Sequence, residues 1–182
     1  MSFSLFVVAM LLVSQQQGST TSASALSGTW RSTPDETPLS SAFDESVWGK
    51  KAKAIRTVEM VVRAGGDARL TVTRKVVDAR GRTVVGSSSI EEADLSLGAV
   101  QSTTGVRSEL AVMVKKAERR YPDDPKGTFV LEGLRVTVTT FKDDPAMLEV
   151  RVDLPEGRGS FWEALRRGTG KPATTKPATT TP

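Results

Sequence analysis

The sequence predicts an all-β protein: an antiparallel up-and-down barrel or flattened β-sandwich of about seven to nine strands, with a short C-terminal helix. Three observations predict it. Apolar and polar residues alternate through the middle of the chain, the period of a strand with one wet face. Glycines and Asp-Pro pairs, which favour tight turns, separate the alternating stretches. A sheet of that size must close or fold on itself to hide its apolar face and its edges.

Met1–Val13 is uncharged and mostly apolar. It is too short to cross a bilayer as a helix, which takes about 20 residues. It fits the core of a secretory signal, and Ala23-Ser24-Ala25 fits the small-x-small cleavage rule. Residues 1–25 are therefore expected to be a signal peptide, cut between Ala25 and Leu26. The mature chain is expected in the periplasm, at the cell surface or in the medium, with no stable membrane insertion. Residues 26–168 have the length of one domain. Residues 169–182 end in "KPATTKPATTTP", with almost no apolar surface to offset the entropy of ordering. A disordered Pro/Thr-rich tail is expected there.

The strands follow in order. "RTVEMVVR" places Val58, Met60 and Val62 on one face. "LTVTRKVV" does so with Leu70, Val72 and Val76, and Arg74 breaks the apolar side. "VRSELAVMVKK" adds Val106, Leu110, Val112 and Val114; residues 106–120 can be argued as helix, but alternating β-branched residues favour strand. "LRVTVTTF" and "MLEVRVDL" are the clearest, the latter with Leu148, Val150, Val152 and Leu154 against Glu149, Arg151 and Asp153. "RAGGDAR", "DARGR" and "FKDDPAM" read as hairpin turns. "GSFWEALRRG" reads as the helix: Ser160 as N-cap, Glu163 as its capping-box partner, Gly168 past the end, and Phe161 and Leu165, with Trp162 as a further candidate, docking on the sheet. A second short helix is expected in "PLSSAFDESVW", with Leu39, Phe43 and Val47 spaced by four. The segment carrying Phe43 and Trp48 reads as lid-like.

"LSGTW", Leu26–Trp30, resembles the Gly-x-Trp motif of the lipocalin-like superfamily. The layout is similar too: a long loop after the first strand, then a hairpin meander, then a short helix. The resemblance implies that Gly28 and Trp30 open the first barrel strand. It implies that Trp30 plugs the closed end under a basic residue, a place Arg151 or Arg158 would take. The chain departs from the animal family: it has no Thr-Asp-Tyr motif, no Cys, and Tyr121 is its one tyrosine. A bacterial, secreted lipocalin-like barrel is the better description.

Composition removes several chemistries. With no His there is no imidazole base, no Ser-His or Cys-His pair and no imidazole metal site. No phosphate-loop pattern is present. Asp123-Asp124 and Asp143-Asp144 each precede Pro and read as turn formers rather than ligands of a metal. The net charge of +4 is spread over short basic pairs with acids between them, which gives no nucleic-acid stripe. No catalytic residue, metal or cofactor is expected, and the protein is read as non-enzymatic. The leading expectation is a carrier of a small apolar or amphipathic ligand held inside the barrel. The alternative is an envelope structural or interaction protein with a filled barrel and no ligand.

Overall fold

A computed structural model describes residues 23–155 and 159–168. The expected signal peptide, apart from its last three residues, the tail and Arg158 lie outside the described residues. After a 3-10 turn at Ala23–Leu26 the chain forms β1 (Gly28–Ser32), β2 (Asp35–Pro38), α1 (Ala42–Trp48), β3 (Lys53–Val62), β4 (Asp67–Val77) and β5 (Ser89–Thr104). It continues through β6 (Arg107–Tyr121), β7 (Asp124–Val130), β8 (Arg135–Phe141), β9 (Met147–Asp153) and β10 (Ser160–Arg167). All pairings are antiparallel.

The sheet closes on itself. β1 pairs with β10 on one side and β3 on the other, and the order β1-β10-β9-β8-β6-β5-β4-β3 returns to β1. Eight strands thus form the ring, and β2 and β7 add to β3 and β6 outside that path. The described residues form ten strands: the eight of the ring, within the expected seven to nine, and two short edge strands at one end. Gly65 and Gly66 adopt φ of 98° and 93° in the β3–β4 turn, a region L side chains avoid, as "RAGGDAR" predicts. Residues 107–121 are strand, not helix.

The C-terminal helix is not formed: Ser160–Arg167 is strand β10. Phe161 and Leu165 satisfy a four-residue spacing, but Phe161, Glu163 and Leu165 also alternate. β1 and β9 each present an edge that only a strand can satisfy, and ring closure overrides local propensity. Leu165 is fully buried, whereas Trp162 is exposed. α1 forms where expected, with Ser41 accepting a hydrogen bond from the Asp44 N–H at 3.0 Å. Its Phe43 and Val47 face solvent and the helix buries no residue, so the lid reading is not supported.

The inward faces interdigitate into one core. Trp30, Met60, Leu70, Leu95, Leu110, Leu148, Leu165, Val138 and Val150 are fully buried within it. An eight-stranded barrel is just wide enough for its own side chains to fill. A cavity among Leu70, Val72, Glu91, Ala93, Leu131, Leu134 and Val152 holds only about 10 Å³. That is room for about one water molecule, not for an organic ligand.

Candidate functional site: a plugged base and an arginine-lined mouth

The two ends of the barrel differ. At the base, Gly28 enters β1 with φ of 137°, and Trp30 is wholly buried two residues later. The Trp30 indole Nε1–H donates to the Leu26 carbonyl at 2.8 Å, so the polar edge of the plug is satisfied. Leu26 is itself buried, and Ala25 beside it is exposed. The guanidinium of Arg167 lies 4.7 Å from the Trp30 ring centroid, a cation–π contact. Trp30 and Arg167 are direct cross-strand partners of β1 and β10. The basic residue over Trp30 is therefore Arg167. Arg151 sits on the outward face of β9, is exposed, and donates to Asp153 at 3.0 Å. Arg167 was hidden by the helix reading of its segment.

At the opposite end the inward positions become charged. The apolar stripe of β3, Val62-Met60-Val58, continues to Arg56. The stripe of β4, Leu70-Val72, continues to Arg74, and that of β5, Leu95-Ala93, to Glu91. Arg119 on β6 and Phe161 and Glu163 on β10 complete the rim. Arg56 and Arg74 are direct cross-strand partners, a like-charge pairing that costs energy unless compensated. Glu91, 5% exposed, compensates on one side: its Oε1 accepts from both Arg74 Nη1 and Arg119 Nη2. Glu163 and Asp35 compensate on the other, accepting from Arg56 Nη2 at 2.6 and 2.8 Å. Burial works against the Arg119 charge, but the bonds and attraction from Glu91 and Tyr121 together outweigh it and hold its pKa above the ordinary value.

The Phe161 ring lies under two of these cations, 4.7 Å from the Arg56 guanidinium and 5.1 Å from that of Arg74. Together Arg56, Arg74, Ser89, Arg119, Leu154, Gly159, Ser160 and Phe161 line a cleft of about 370 Å³. That lies within the range of small-molecule sites. A larger groove of about 560 Å³ on the outer face of β6, β8 and β9 lacks such a floor. Its Arg107 and Arg151 are paired to Glu149 and Asp153, and Ser102, Thr104, Thr137 and Thr139 share the lining.

The acidic pairs behave as turn residues. Asp123 Oδ2 accepts from the Gly86 N–H at 2.8 Å, Asp124 Oδ1 from Lys126 N–H at 3.0 Å, and Asp144 pairs with Arg166. Of the residues of the mouth, the alternation in the sequence marks only Arg74, as a break in the apolar side. The readable signal was the same break repeated: Arg56, Arg74 and Arg119 each occupy an inward register position near a strand end.

Fold and site define a closed antiparallel barrel with a tryptophan-plugged base and a charged mouth. No family model matches the chain, no curated protein matches its sequence and no solved structure matches its fold.

Proposed function

We propose that this protein is an exported, lipocalin-like binding protein that takes a small amphipathic molecule at its mouth rather than inside its barrel. The observation that carries this is the contrast between the two spaces. The interior is filled by side chains, whereas the mouth is a concave cleft with an aromatic floor and unused hydrogen-bond donors. The Gly28-x-Trp30 plug under Arg167 supports the lipocalin-like reading, and Ala23-Ser24-Ala25 supports export. Outward residues of β8 and β9, such as Arg135, Thr137, Glu149 and Arg151, are polar where a membrane barrel would carry a lipid-facing apolar band.

The test is native mass spectrometry of the protein purified from its own host. An adduct of small-molecule mass that is lost on denaturation supports the carrier reading, and a chain starting at Leu26 supports export. A bare protein that binds no amphiphile contradicts the carrier reading.

One observation favours the alternative of an interaction protein. β6 pairs with β7 through Glu118↔Val130 and with β8 through Leu110↔Val138, in one register interrupted between Val130 and Val138. Between those pairings Val112, Met113 and Val114 border a groove of about 460 Å³, and Met113 is exposed. A strand edge without a partner can accept an added strand.

A further inference from the structure

The mouth also carries information on the class of its ligand, and this step rests on the proposal that the mouth is the binding site. Its carboxylates are already engaged: Glu91 by Arg74 and Arg119, Glu163 and Asp35 by Arg56. Its guanidiniums are not exhausted. Toward other side chains among the described residues Arg74 uses only Nη1 and Arg56 only Nε and Nη2, while Arg119 uses Nε and Nη2 toward Glu91 and also interacts with Tyr121. Each guanidinium has five N–H donors in a planar fork. No buried side-chain polar atom lacks a partner among the described residues, so the donors these residues leave unused are not buried. The cleft therefore offers donors and asks the ligand for acceptors. Three guanidiniums face three carboxylates, so the attraction comes from directed N–H groups and not from net charge. Phe161 and Leu154 supply the apolar contact beside them.

We infer that the ligand is an amphiphile with an oxyanion head, a carboxylate or a phosphate. The head takes the spare N–H groups of Arg56, Arg74 and Arg119, and the apolar part lies on Phe161 and Leu154. Bidentate guanidinium forks suit both kinds of head.

The experiment titrates the whole protein with decanoate, decyl phosphate, decanol and inorganic phosphate, by calorimetry and by NMR of the arginine Nε–Hε signals. Expected is binding of decanoate or decyl phosphate, with the tighter of the two identifying the head. Decanol and inorganic phosphate should each bind at least about tenfold more weakly, the factor that one charge-assisted hydrogen bond supplies. The Arg56, Arg74 and Arg119 signals should shift and that of Arg107 should not. Arg74→Gln, which leaves Glu91 paired with Arg119, should weaken decanoate binding by about tenfold with no loss of fold. Decanol equal to decanoate would overturn the oxyanion inference and leave the mouth reading standing. Inorganic phosphate equal to decyl phosphate would overturn the amphiphile. Binding that shifts Arg107 and not the mouth arginines, or no binding by any of the four, would overturn both readings. The ligand series uses the unmodified protein, so the inference stays testable if the variant does not fold.

Discussion

Trp30 and Arg167 show how much one side chain contributes at the base. Trp30→Ala removes a wholly buried indole and its bond to Leu26, and should cost about 3–5 kcal/mol in denaturant unfolding. Arg167→Gln removes the cation–π contact and should cost about 0.5–2 kcal/mol. Arg151→Gln removes an exposed pairing and should change stability by under about 0.5 kcal/mol. The reverse ranking of the two arginines would contradict the assignment of Arg167 to the plug. At the mouth, Glu91→Ala should cost about 1–3 kcal/mol, because two half-buried guanidiniums lose a shared acceptor. Charge on the exposed turns is lost only in acid. Asp78 is held below the ordinary 3.8 by the backbone N–H and guanidinium of Arg82 and the N–H of Arg80. Asp67 is held below it by the bond to, and charge of, Lys115. A lowered carboxylate contributes stability above its unfolded pKa and loses it as pH falls through the folded one. Both turns should therefore be unaffected near neutral pH and loosen only below about pH 4. Carboxyl NMR titration should give midpoints under 3.8 for both, and a midpoint above that value contradicts these contacts. The plug tryptophan was legible because Gly-x-Trp is a contiguous motif. Its basic partner was not, because Arg167 reaches Trp30 only through the pairing of the first and last strands.

At the scale of elements, β10 separates local from non-local information. Ser160, Glu163 and Gly168 form a complete set of helix-end signals, and the alternation of Phe161, Glu163 and Leu165 is too short to overrule them locally. What decides is the pair of edges on β1 and β9 that the segment must fill, with Arg31↔Arg166 on one side and Phe161↔Val152 on the other. By contrast, β8 and β9 were legible in full, because one inward stripe of Val and Leu and one outward stripe of charge leave a single register. The strand assignment makes a pattern of substitutions diagnostic. Leu165→Ala should cost about 2–5 kcal/mol, whereas Trp162→Ala should stay within about 0.5 kcal/mol. A docked helix would make Trp162 costly as well. Unfolding curves of the two variants decide between them.

At the scale of the molecule, the ring is completed in two ways. Near the base, backbone pairing of β1 with both β3 and β10 closes it. Toward the mouth β1 has ended at Ser32, and the ion pair of Arg56 with Glu163, at 2.6 Å, ties β3 to β10 with Phe161 beside it. The cluster that forms the cleft is thus also the seam of the barrel. This explains why charged residues occupy inward positions there and why each is paired. It also implies that ligand and seam are coupled: a bound oxyanion adds acceptors to the arginines that hold the end shut, and should raise the unfolding temperature. The interior was expected to hold the ligand because a sequence shows which residues face inward and not whether they fill the space. Side-chain volume summed around an eight-stranded ring answers that, and only the folded structure supplies the ring.

The most direct test of the account is a crystal structure of the protein with decanoate bound. The carboxylate is expected among Arg56, Arg74 and Arg119, the alkyl chain over Phe161, and the core around Val58, Leu70 and Val150 undisturbed. A chain threaded into the barrel, with those core side chains displaced, would contradict it.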